Sequence, residues 1–304
     1  MFFVKNRSRA FIFSGVLMVI FLFSLALMGL NLGVHFGGME VLFSPGESFT
    51  VEEVREVLGE KGLEGSSIQR VGVMEDDDAS HAAIIKTSYL SQEEQDGLMH
   101  SLEDRWPNMD HDQTRIHSTG PAIGGEQLRS AFWALSLALV AMVGYITLRF
   151  QFTYAIATIA ALVHDVIVVL GISSLLQLEI SIPFIAALLT VIGYSVNDSI
   201  VIIDRIRENI KDKRKKEYSA VVNQSIVQSL TRSLNTSSTT MMVLVALLIG
   251  FIYYIGTQDL FAFILALIIG VISGTYSSLF IAGPLWLSLK LKEFKRQSPH
   301  YNYE

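Results

Sequence analysis

The sequence predicts a polytopic α-helical membrane protein: six transmembrane helices, with a small α+β domain outside the membrane between the first and second. Three observations predict it. Of 304 residues, 51% are hydrophobic and only 17% charged, against about a quarter charged in ordinary soluble domains. Six apolar runs reach the roughly 20 residues needed to cross a bilayer core. The charge is also split: residues 32–127 hold 19 Asp/Glu and 6 Lys/Arg, while the remainder holds 10 and 17. With no cysteine in the chain, disulfides, thiolate metal sites and cysteine nucleophiles are excluded.

Residues 1–10 form a basic N-terminus, and the first span covers 11–32. Its apolar stretch exceeds the 7 to 15 residues usual for a signal peptide and no A-x-A site follows, so an uncleaved anchor is expected. The outside domain takes 33–127, and further spans are expected at 128–148, 152–176, 182–203, 233–254 and 260–289, the last tilting or ending in a turn near Pro284. A basic loop, 204–232, separates the fourth and fifth, and 290–304 form the C-terminus. Lys5, Arg7, Arg9, Arg149, Arg205 to Lys216 and Lys290 to Arg296 all fall on one side; the turns around Glu179 and Asp259 carry no basic residue. The positive-inside rule then places both termini in the cytoplasm and the acidic domain outside.

Within that domain, Val34–Phe43, Ser67–Val73, His81–Thr87 and Gln113–His117 read as strands, and Val51–Lys61 and Ser91–Trp106 as helices. Each helix opens with a capping box, Thr50-x-x-Glu53 and Ser91-x-x-Glu94. The order βαββαβ is ferredoxin-like, which by itself assigns no function. His81, His100, His111 and His117 lack close ligand spacing, and the run Glu75–Asp78 lacks the calcium-loop pattern, so solvated residues are expected rather than a metal site.

No phosphate-binding glycine loop, G-x-S-x-G or H-E-x-x-H occurs, which argues against ATP hydrolysis and against an enzyme. The basic loop lacks interleaved aromatics, so headgroup attraction is the reading and nucleic acid is not an expected partner.

The informative residues are ionisable groups within the spans, where a charge costs at least about 2.5 to 3.5 kcal/mol. His164 and Asp165 lie mid-span; adjacent on a helix, they diverge by about 100° and are not expected to share one narrow pathway. A single polar contact and a part in ion passage both stand. Asp198 lies in Gly193-Tyr194-Ser195-Val196-Asn197-Asp198-Ser199, about 10 Å from Arg205 along the helix. Asp204 closes that span. Arg232 enters the next at similar depth, so the two can meet, either as a static ion pair or as a proton-loading switch. Thr239 and Thr240 belong to a polar run opening the fifth span, and Gly270, Ser273, Gly274, Ser277 and Ser278 form a small-residue face in the sixth, suited to packing.

The stretch GYSVNDSIVIIDRIREN, Gly193–Asn209, closely resembles the most characteristic segment of the SecF family, accessory subunits of the bacterial Sec translocase. The similarity extends through Gly120-Pro121-x-x-Gly124, Leu128-Arg129, Leu148-Arg149-Phe150, Leu162-x-His164-Asp165-Val166, Ser233-Leu234 and Thr239-Thr240. The resemblance implies an RND-type bundle in the bacterial inner membrane and a SecD partner with another six spans. It also implies use of a proton or sodium gradient, and no other cofactor, to help draw preproteins from the SecYEG channel; YajC or YidC are further candidate partners. Asp198 matches the family's ion-coupling carboxylate and Arg232 its basic partner, with Tyr194, Asn197, Ser199, Asp204, His164, Asp165, Thr239 and Thr240 as supporting polar groups. The family's G-x-D-F-x-G-G is replaced by Gly33-Val34-His35-Phe36-Gly37-Gly38, with His35 for Asp and one residue fewer. Two other classes are weighed: half of an RND-type small-molecule or lipid exporter, which would carry larger outside domains, and a non-transporting scaffold.

Overall fold

A computed structural model describes residues 1–71, 82–211, 217–254 and 258–297. A one-turn helix α1 (Phe2–Lys5) leads into α2 (Arg7–Met28). Gly29, at φ +67°, ends α2 in a conformation that L side chains avoid. Residues 31–32, expected at the end of the first span, instead form a short strand β1 (Asn31–Leu32).

A single 3₁₀ turn, Val34–Phe36, replaces the start of the first expected strand. The outer domain follows as β2 (Gly38–Phe43), α3 (Val51–Glu60), β3 (Ser67–Val71), β4 (Ala82–Thr87), α4 (Gln92–Arg105) and β5 (Arg115–Thr119). The expected acidic turn Glu75–Asp78 and His81 lie outside the described residues. Strands pair in the order β3-β4-β2-β5, all antiparallel, the ferredoxin-like arrangement. Both capping boxes form, with Glu53 and Glu94 reaching back to the backbone N–H of Thr50 and Ser91 at 2.8 Å each. Alternation along β2 sends Met39, Val41 and Phe43 to the same buried face. There they pack with Val54, Leu58, Leu98 and Trp106 of the helical layer.

The bundle comprises α5 (Pro121–Arg149), α6 (Phe152–Leu175), α7 (Ile182–Ile210), α8 (Tyr218–Tyr254) and α9 (Gln258–Ser277), the last continued by a π-helical turn Ser278–Ala282 and α10 (Gly283–Gln297). With α2, these supply six helical stretches long and apolar enough to cross a membrane. Most of their ends reach beyond the expected spans. Residues 121–127, expected in the outer domain, are the first turns of α5, because Pro121 at N1 starts a helix without losing a hydrogen bond. Much of the expected basic loop is helical, since α7 runs to Ile210 and α8 starts at Tyr218. Asp212–Lys216 lie outside the described residues. The helix of the sixth span does not stop near Pro284. Its wide turn falls just before the proline, which has no N–H to donate, and the helix then continues.

Packing centres on α6, α7 and α9. Gly270 of α9 lies so close to Val191 of α7 that no side chain fits between, and Gly171 of α6 meets Phe21 of α2 in the same way. The turn between α6 and α7 forms β6 (Glu179–Ile180), parallel to β1. It thereby ties the outer end of the bundle to the base of the ferredoxin-like domain.

Candidate ion-coupling site in the bundle

A carboxylate inside a membrane helix must obtain its solvation from protein donors, since hydrocarbon offers none. Asp165 on α6 has no exposed surface. Its Oδ2 accepts from Ser195 of α7 at 2.5 Å and from Ser277 of α9 at 2.6 Å. Its Oδ1 accepts from Ser273 of α9 at 2.6 Å and contacts Nδ1 of His164 at 3.0 Å. Three helices thus meet on one carboxylate. His164 and Asp165, expected to diverge on the helix, are nonetheless in contact with each other. The small-residue face of the sixth span is likewise more than a packing surface: Gly270 packs, while Ser273 and Ser277 bond.

Asp198 on α7 is also buried, and its Oδ1 accepts from Ser233 of α8 at 2.6 Å. Its Oδ2 has no hydrogen-bond partner among the described residues. Arg232, expected to meet Asp198, is exposed and forms no ion pair with it. The direct contact falls to the next residue along α8.

The supporting positions separate into two groups. Tyr194 donates to Ser237 at 2.9 Å, which in turn bonds Thr275 at 2.6 Å, joining α7, α8 and α9. Ser199, the residue next to Asp198, meets Ser278 at 2.9 Å. By contrast, Asn197 is exposed, Asp204 is half-buried away from these groups, and Thr239 and Thr240 bond back to carbonyls of their own helix. Ser195, Ser233, Ser273 and Ser277 were not singled out from the sequence as site residues. The i, i+4 spacing of Ser273 and Ser277 places both on one helix face and was the available signal.

At the outer end, Lys86 of β4 donates to Glu179 of β6 at 2.7 Å, with Glu40 of β2 at 3.6 Å. This buried contact joins the outer sheet to the turn between the two helices that carry Asp165 and Asp198.

Residues 101–292 match the family described as protein export membrane protein SecD/SecF, C-terminal. The SecF protein translocase subunit of Sebaldella termitidis is 35% identical over 295 residues, covering 96% of this chain and 92% of the relative. The SecDF subunit of Bacillus subtilis is 32% identical, over 97% of this chain and 39% of its own length. The crystal structure of SecDF, a translocon-associated membrane protein from Thermus thermophilus, superposes with a TM-score of 0.78 at 34% identity, over 96% of this chain and 39% of that one. The chain accordingly belongs to the SecD/SecF family of protein-export membrane proteins, as a relative of its SecF members.

Proposed function

We propose that this protein is a SecF-type translocase subunit that works with a SecD-like six-span partner, coupling a proton or sodium gradient to preprotein movement and release at SecYEG. The observation that carries the reading is the polar face beside Asp198. Asn197 on α7 and Arg232, Asn235, Thr236 and Thr239 on α8 are exposed within membrane-length helices. Lipid does not solvate such a surface, so a second protein must cover it. The fused SecDF relatives, of which this chain spans 39%, supply a candidate in the rest of their length. A buried carboxylate at the edge of that face, with one oxygen bonded and one open, is suited to gain and lose a cation as the covering partner shifts.

The orientation of basic residues supports an inner-membrane protein with both termini in the cytoplasm and the ferredoxin-like domain on the side where preproteins emerge. Relatives are named translocase subunits, which supports transport rather than catalysis.

The test is gradient-dependent export of a preprotein in membrane vesicles carrying Asp198→Asn, with the complex recovered in parallel and probed for SecD, SecYEG, YajC and YidC. Loss of gradient stimulation with normal recovery of SecD and SecYEG is expected. Full stimulation would remove the coupling role, and poor recovery would point to a scaffold.

A further inference from the structure

His164 is 3% exposed, and its Nε2 is a buried polar atom with no hydrogen-bond partner among the described residues. Native interiors rarely leave such an atom unused. Its other nitrogen, Nδ1, faces a carboxylate whose remaining contacts are three serine hydroxyls, from Ser195, Ser273 and Ser277. An ionised carboxylate only accepts, so these four groups fill its lone-pair positions as donors. Nδ1 then carries a hydrogen, and Nε2 of the neutral ring is left with its lone pair.

We propose that His164 and Asp165 form a second proton-binding site in the bundle, separate from Asp198, with Nε2 of His164 the atom that takes and releases the proton. Binding forms one N–H bond at Nε2 and breaks it on release, and nothing else changes covalently. Without the proton the pair carries one net negative charge in an apolar interior; with it, the pair is neutral. Burial of net charge is what such an interior resists, so loading removes a penalty that the serine cage otherwise bears alone. The titratable groups around the ring are few. Asp165 lies on its own helix, and Tyr276 of α9 has its ring centroid 6.0 Å away and its hydroxyl bonded to Ser14 of α2 at 3.0 Å. Helix α2 carries no titratable residue from Ala10 to Met28. Helix α7 contributes Ser195 and, one turn on, Asp198.

The site also sits where its charge state has mechanical consequences. Asp165 holds α6, α7 and α9 together through hydroxyls, and Asp198 holds α7 to α8. Use of the pair as a second carrier rests on the ion-coupling reading above. Its proton binding is measured without any export assay, so the two fail separately.

The experiment is nitrogen-15 NMR of full-length protein labelled at histidine, in lipid nanodiscs of phosphatidylethanolamine and phosphatidylglycerol, at acid and alkaline pH. His164→Gln identifies the signal. A resonance that passes from singly to doubly protonated imidazole in wild type and in Asp198→Asn, and whose doubly protonated form drops at least tenfold in Asp165→Asn, is expected. A His164 resonance that stays singly protonated throughout, or a doubly protonated form undiminished in Asp165→Asn, would overturn the site. Should Asp165→Asn fail to fold, proton uptake on a pH jump decides: His164→Gln should take up one proton fewer than wild type, and equal uptake would overturn the proposal.

Discussion

Lys86 Nζ lies 2.7 Å from Glu179 Oε2, with both side chains 9% exposed. This joins a strand of the outer sheet to the turn between α6 and α7. Removing one partner of a buried pair costs about 3 to 5 kcal/mol where nothing else compensates the charge left behind, and Glu40, 3.6 Å from Lys86, reduces that cost for Glu179→Gln. Glu179→Gln or Lys86→Met should therefore loosen the outer domain from the bundle, seen as faster hydrogen exchange at β1 and β6 and a lower melting temperature in detergent. The charge-reversed double variant Lys86→Glu with Glu179→Lys should recover part of the loss. Unchanged exchange in both single variants would show that the pair holds nothing.

What was legible in the sequence had a local cause. Bilayer-length apolar runs marked the spans, and hydroxyl-x-x-carboxylate patterns marked both helix starts of the outer domain. Span ends were less legible because hydropathy marks the apolar slab, whereas α7 and α8 project beyond it with charged turns such as Arg205–Asn209. The partner of Asp198 was missed by one residue. Depth along a helix can be counted from sequence, but the direction in which Arg232 and Ser233 leave α8 depends on how that helix is rotated against α7. The cage around Asp165 needs three helices to converge, and Lys86 and Glu179 stand 93 residues apart. No local pattern announces either.

Ser233 and Arg232 should behave differently when replaced. Ser233 makes the direct bond to Asp198, and hydrogen bonds to charged groups contribute roughly 1.5 to 3 kcal/mol. On the ion-coupling function proposed above, Ser233→Ala should thus reduce gradient-stimulated export about tenfold or more. Arg232 is exposed and makes no ion pair with Asp198, so it lacks the forked pairing that makes Arg irreplaceable. Arg232→Lys should retain most of the stimulation and Arg232→Met should lose it. Equal loss in Lys and Met variants would mean that the guanidinium itself is required, as in a direct contact formed during the cycle.

The contact between α7 and α9 is set by Gly270. An added Cβ there would run into the Val191 side chain, whereas Gly193 has open space around it. Overpacking of this kind costs about 1 to 3 kcal/mol. Gly270→Ala should lower the melting temperature in detergent and weaken the Ser273 and Ser277 contacts to Asp165, which come from the same helix. Gly193→Ala should leave stability unchanged. A Gly270→Ala protein as stable as wild type would show that α9 can shift outward without cost.

The capping boxes of the outer domain make its stability depend on acid in a defined direction. The Glu53 carboxyl is held below its ordinary value of 4.5 chiefly by the backbone N–H of Thr50, then by the Thr50 hydroxyl, with Arg105 adding to it at 2.8 Å. Glu94 is held low by the backbone N–H and then the hydroxyl of Ser91. A carboxyl depressed in the folded state contributes stability that is fully present above its ordinary range and is lost as pH falls through the folded value. Residues 38–120, expressed without the membrane helices, should therefore unfold cooperatively at neutral pH and weaken progressively below about pH 4.5. Thr50→Ala and Ser91→Ala should each cost about 1 kcal/mol at neutral pH, the usual value of a lost N-cap. Glu53→Gln and Glu94→Gln keep a side chain that can accept the same bond but cannot titrate, so their combination should flatten the acid slope. Urea midpoints from neutral pH to about pH 3 provide the measurement. An acid slope as steep in the double Gln variant as in wild type would assign the dependence to other carboxylates of this acidic domain.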